Sequence, residues 1–185
     1  MKILRANDHK HMPWKNGLGQ TVEIAVFPPA ATVDTFDWRI SMATVSEDGP
    51  FSVFPGIDRT LSILEGTGME LFVEGREQVL LTQASPPHPF AADAATTARL
   101  VDGAITDLNV MTRRGRFSHA VERLVAPTKL VPGAGTTLVL CHRGRMEARR
   151  GETTETLSAL DCLLLNAEEA LEISGTGEGF LIRLR

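Results

Sequence analysis

The chain has 185 residues, 43% of them hydrophobic, and a formal net charge of −4. That length suffices for one large domain or two small halves sharing a core, and the hydrophobic content without a long charge run argues against disorder. The acidic balance gives no support for a nucleic-acid partner, which needs a basic face.

The first residues, Met1-Lys2-Ile3-Leu4-Arg5, lack the apolar core of a signal peptide. No apolar run approaches the roughly 20 residues that span a membrane. A cytoplasmic protein without a membrane partner is therefore expected. The segment Met12-Pro13-Trp14-Lys15-Asn16-Gly17-Leu18-Gly19-Gln20-Thr21 comes next. Pro13, Asn16-Gly17 and Gly19 force a non-repeating backbone there. Trp14 offers a flat apolar wall, Lys15 a point charge, and the two glycines a close approach for an anion to backbone N–H groups. The alternative is a tight turn that Trp14 packs onto the sheet.

Short runs with period-2 alternation or β-branched enrichment then follow at 20–27, 36–45, 60–64, 70–73, 79–82, 106–112, 117–125, 136–142, 162–166 and 180–184. The 16 glycines and 10 prolines supply turns between them, and no long 3.6-residue stripe marks a helix. The pattern predicts an all-β protein of sandwiches or barrels. A weak repeat, strand–Gly turn–strand–Gly turn–strand, starts at Leu61–Gly66 and again at Leu138–Gly144. Its second copy is read as ending in a strand at 157–161. The expected architecture is one bicupin-like unit over 1–185, with an N-terminal half of about 1–115 and a C-terminal half of about 116–185. Cys141 and Cys162 stand in strand-like runs and read as buried small hydrophobes in a reducing compartment.

Three of these strands carry polar groups on one face: Thr21, Glu23 and Ala25; Asp37, Arg39 and Ser41; Asp107, Asn109 and Met111, with Arg113 beyond. Such a face is either solvated or lines a pocket. Buried, Arg39 needs a carboxylate, and Glu23 or Asp107 can serve. Residues 37–66 end in a strand and a Gly turn that look like the first motif of a cupin. Seven residues before Gly66, where a metal-binding cupin places a Glu ligand, stands Arg59; the two His positions fall around Ser52 and Phe54. A guanidinium and a phenyl ring cannot ligate a metal, so no metal and no other cofactor are expected. His88 and the His9/His11 pair read as loop histidines, His119 and His142 as structural ones. The metal-bearing alternative would use His9, His11 and His88.

Four blocks together resemble the HutD/Ves family: Met12-Pro13-Trp14-Lys15-Asn16-Gly17-x-Gly19-x-Thr21-x-Glu23-Ile24; Phe36-Asp37-Trp38-Arg39-Ile40-Ser41; Asp48-Gly49-Pro50-Phe51-Ser52-x-Phe54-Pro55-Gly56-x-Asp58-Arg59; and Asp107-x-Asn109-Val110-Met111-x-Arg113-Arg114-Gly115. Leu18 stands where the family often has a further glycine. The resemblance implies a bicupin-type fold without a catalytic metal. It also implies a link to histidine utilisation, through binding of a pathway intermediate and restraint of pathway expression, with stress-related relatives besides. Under it the polar faces become pocket lining, and the expected ligand is a small anionic metabolite such as urocanate or N-formylglutamate. Arg39, Arg59 and Lys15 suit a carboxylate, and Trp14 or Phe54 an unsaturated ligand. The expected ligand-binding residues are Trp14, Lys15, Asn16, Thr21, Glu23, Arg39, Ser41, Ser52, Phe54, Arg59, Asp107, Asn109 and Arg113, with no catalytic residue. Against this non-catalytic reading stand a cofactor-free isomerase or hydrolase with Glu23 or Asp107 as base, and a purely structural or protein-binding role. Pairing as a homodimer is an expectation from the exposed edges of such barrels alone.

Overall fold

Alternating apolar residues punctuated by glycine make strands wherever both faces of a run can be covered, and nineteen result among the described residues. The computed structural model describes every residue except Lys15, Asn16, Leu18, Pro132, Asn166, Ala167, Glu168 and Glu169. The described residues divide into two compact units, Lys10–Ser118 and the combination of Met1–His9 with His119–Arg185. Sequence reading placed the first residues in the N-terminal half. They belong with the C-terminal unit instead, because β1 (Lys2–Leu4) adds to an edge of that unit's sheet.

The Lys10–Ser118 unit holds β2 (Lys10–Pro13), β3 (Gly19–Phe27), β4 (Trp38–Val45), β5 (Gly49–Pro50), β6 (Ile57–Glu65), β7 (Met69–Val73), β8 (Val79–Leu81), β9 (His88–Ala91), β10 (Thr96–Leu100) and β11 (Ile105–Arg113). They form a six-stranded sheet, β2-β3-β4-β11-β6-β9, and a four-stranded sheet, β5-β10-β7-β8. Leu61 and Ile63 of β6 meet Met69, Leu71 and Val73 of β7 and Ala98 of β10 in one apolar cluster. Burying such a side chain stabilises by about 1.5–3 kcal/mol. A second cluster of Phe36, Ile57, Ala92 and Met111 closes one end.

The other unit holds β12 (His119–Val125), β13 (Thr128–Leu130), β14 (Thr136–Arg143), β15 (Met146–Arg150), β16 (Thr153–Leu157), β17 (Cys162–Leu165), β18 (Leu171–Gly175) and β19 (Glu178–Leu184). Its sheets run β1-β17-β14-β19-β12 and β13-β18-β15-β16. The repeat seen in the sequence corresponds to β6-β7-β8 and β14-β15-β16. Its last strand ends at Leu157 rather than starting there; residues 158–161 form a turn held by Asp161, which accepts from the Ser158 and Ala6 backbone N–H groups. Gly66, after β6, has φ +89°, and a Cβ there would stand 2.5 Å from the Ala104 carbonyl oxygen, so only glycine fits the turn.

Cys141 and Cys162 are free and buried, and burial pushes the Cys162 thiol up to about 12. His88 begins β9 instead of lying in a loop. The His9/His11 pair is split: His9 is buried in one unit, while His11 is exposed on β2 of the other. Among the described residues no helix is long and apolar enough to cross a membrane.

Candidate functional site

The central strands of the six-stranded sheet set the site by register. Arg39 of β4 and Arg59 of β6 both face Met111 of β11, one on each side. Two strand spacings separate them, roughly 10 Å between Cα atoms. One row along, Glu23, Ser41 and Asn109 line up; one row further come Thr21, Ala43 and Asp107. All of these fall on one face by the two-residue pleat. The face is not solvated: Asp107 is 1% exposed, Asn109 3%, Arg39 6% and Arg59 9%. The opposite face, with Trp38, Ile40, Met42, Leu108 and Val110, is buried too.

Simple alternation fails at one place. Between Glu23 and Ala25 the β3–β4 register shifts, so Glu23 faces Ser41 while Val26, not Ala25, faces Arg39. This β-bulge at Ile24 keeps Glu23 on the polar face and puts an apolar residue beside the Phe36 cluster. The Arg39 Nε donates to Glu23 Oε2 at 2.7 Å, the pairing expected from sequence. The Nη groups of Arg39 have no partner among the described residues.

Arg59 is held differently. Its Nε donates to Asn109 Oδ1 at 2.8 Å and its Nη2 donates to the same oxygen. Asn109 Nδ2 in turn donates to Asp107 Oδ1 at 2.6 Å. The guanidinium lies over the rings of Phe51, at 4.5 Å, and Phe90, at 5.6 Å. Burial lowers the Arg59 pKa to about 10; Asp107 opposes that and Arg39 adds to it. Burial raises Asp107 to about 6, against the pull of Arg59, the Asn109 amide and the Ala43 backbone N–H. The second carboxylate oxygen, Asp107 Oδ2, has no hydrogen-bond partner.

These residues line a cavity of about 1120 Å³, bounded also by Trp14, Phe51 and Phe54. Trp14 is pinned by donating from Nε1 to Thr21 Oγ1 at 2.9 Å. Gly19 makes room for it: a Cβ there would reach 2.2 Å from the Thr44 carbonyl oxygen and 3.0 Å from the indole. Phe54 leans on Phe36 with ring centroids 6.3 Å apart, and Ser52 is exposed on the same loop. Arg113 reaches the rim, but its Nε and Nη2 donate to the Phe36 carbonyl and Nη2 also to that of Asp34. It therefore ties the loop before β4 to the end of β11. Lys15 and Asn16 lie outside the described residues. Sequence reading missed Phe51 and Phe90. Phe51 stood inside a quoted motif, but only the tertiary fold shows that it covers Arg59.

A divalent metal does not fit here. Two guanidinium groups face the cavity, and the described residues hold no cluster of three His, Cys, Asp or Glu side chains able to take such an ion.

Comparison with known proteins agrees with this architecture. The chain is 32% identical, over its whole length and 97% of the other, to an uncharacterized 21.2 kDa protein in the hutC 3′ region of Pseudomonas putida. It is 42% identical to protein Ves of Citrobacter koseri over 62% of this chain and 60% of that one. The structure of HutD from Pseudomonas fluorescens SBW25, in a formate condition, superposes with a TM-score of 0.86 at 31% identity, covering 99% of this chain and 97% of that one. A cupin 2 conserved barrel domain protein from Leptotrichia buccalis shares the fold alone, with a TM-score of 0.60 at 13% identity, over 90% and 89% of the two chains. The family model HutD matches residues 6–182, and the chain belongs to the HutD family.

Proposed function

We propose that this protein binds a small carboxylate metabolite, without turning it over and without a metal, and so serves a regulatory role in histidine utilisation. One observation carries the reading: two buried guanidiniums face one cavity with N–H donors unspent. Arg39 shares one nitrogen with Glu23, and Arg59 has only a neutral amide as its hydrogen-bond partner. A buried cation with free donors is costly until an anion arrives, and a guanidinium holds a carboxylate through two parallel bonds. Trp14 and Phe51 give a flat ligand apolar walls. Urocanate and N-formylglutamate are the candidates, and the relative in the hutC 3′ region supports the link to that pathway. Titration calorimetry with both compounds tests this. Saturable heat with no product is the expected result, and no heat with either would overturn it.

A second reading has its own support. Asp107, raised to about 6 and with one oxygen unpartnered, has the make-up of a general base, whereas Glu23 is engaged by Arg39. Product formation in time-resolved NMR, lost in Asp107→Asn, would make the protein a cofactor-independent isomerase or hydrolase.

A further inference from the structure

We infer that the ligand is bifunctional: besides the carboxylate held by the guanidiniums, it carries an N–H group that donates to Asp107 Oδ2. This rests on the carboxylate reading above and narrows it to a chemical class. Asp107 is 1% exposed, lines the cavity and leaves Oδ2 without a partner. The other oxygen is engaged by Asn109, which fixes the carboxylate plane. An acceptor left unpaired in a desolvated site penalises any occupant that cannot donate to it.

The chemistry of Asp107 also says what the site rejects. At neutral pH an ionised carboxylate only accepts, so a carboxylate placed against Oδ2 is repelled and an ether or ester oxygen there is left unsatisfied. The spacing follows from the relay. Arg59 and Asp107 bond to opposite ends of one Asn109 amide. Two hydrogen bonds of about 3 Å and an amide between them put the two groups within roughly 8 Å. The carboxylate and the N–H are therefore a few bonds apart, in a compact molecule.

Two matched pairs of probes test this at a pH of about 7.5, where Asp107 is an acceptor. The first pair is 3-(pyrrol-2-yl)acrylate and 3-(furan-2-yl)acrylate. The second is N-acetylglycine and acetoxyacetate. Within each pair only the N–H is exchanged for oxygen. The N–H member is expected to bind wild type about tenfold or more tightly. In Asp107→Asn the Asn109 donor holds the new amide with its oxygen inward, so an N–H group faces the cavity; the preference should vanish or reverse. Arg59→Ala should weaken both members of each pair alike. Equal binding of the two members to wild type, with both lost in Arg59→Ala, would overturn the N–H inference and leave the carboxylate reading standing. A preference that survives Asp107→Asn would overturn the assignment to Asp107. If no member of either pair binds wild type, both readings fall. The wild-type comparison needs no variant, so it decides the matter even where a substituted chain does not fold.

Discussion

In the Lys10–Ser118 unit the strands β4-β11-β6-β9 lie side by side, and in the other unit the order is β12-β19-β14-β17; the smaller sheets correspond in the same way, β5-β10-β7-β8 to β13-β18-β15-β16. Arg59 stands seven residues before Gly66, and Thr137 seven before Gly144. Register then matches Asn109, opposite Leu61, with Leu181, opposite Val139, and Asp107 with Gly179. One unit thus points arginine, amide and carboxylate inward, while the other fills the same positions with Thr137, Leu181 and no side chain. Val139, Cys141, Leu163, Leu165 and Leu181 pack the second interior with hydrocarbon. A duplicated barrel can therefore divide its work. One copy meets its stability through packing, and the other accepts buried polar groups that its own side chains do not fully satisfy.

The largest effect should come from making the apolar copy imitate the polar one. Leu181→Asn removes packing from a filled core and buries an amide without partners, so urea unfolding should show a loss of about 3–5 kcal/mol. Unchanged stability would mean that the second interior is not as tightly filled as the burial indicates. Next comes Arg59→Ala, which should weaken carboxylate binding by roughly 2–4 kcal/mol in calorimetry. Wild-type affinity in that variant removes Arg59 from the site.

Asp107 gives a smaller effect with a definite sign. Its folded-state pKa of about 6 lies above the ordinary carboxylate value, so the folded chain holds this proton more tightly than the unfolded one. Stability from this group is complete at low pH and falls as pH rises from about 4 to about 6. Arg59 and Arg39 with its Glu23 face the group from other strands and Asn109 from its own, while Glu47 and Asp48 line the same cavity. Asp107→Asn should therefore be more stable than wild type by about 1–3 kcal/mol above pH 6, with the gap closing near pH 4. Urea melts at the two pH values check this; a gap that widens in acid contradicts it. Least of all, Gly75→Ala meets open space at φ +74° and should cost only about 1 kcal/mol in thermal unfolding, whereas Gly66→Ala also meets the Ala104 carbonyl and should cost more.

The strands most visible beforehand were those with alternation or β-branched runs, such as β3, β4, β6 and β11, because one face of each carries successive apolar residues. Short edge strands such as β5, Gly49–Pro50, and β13, Thr128–Leu130, escaped notice: their backbone is fixed by pairing with neighbours rather than by their own side chains. The Arg39–Glu23 pair was legible from the need of a buried cation for a carboxylate. The Arg59–Asn109–Asp107 relay was not, since sequence alternation puts Asn109 and Asp107 on one face but cannot say that Arg59 lies across from them. That fact depends on β6 and β11 being neighbours, 50 residues apart in the chain. Burial of the polar face was equally hidden, because the same pattern fits a strand open to water.

The bulge at Ile24 gives this strand a tolerance to chain length that a regular strand lacks. Deleting that one aliphatic residue would restore an unbroken pleat with Glu23 still opposite Ser41 and Val26 still opposite Arg39. The extra residue is slack in the strand, and the counterion of Arg39 would stay in place once that slack is taken up.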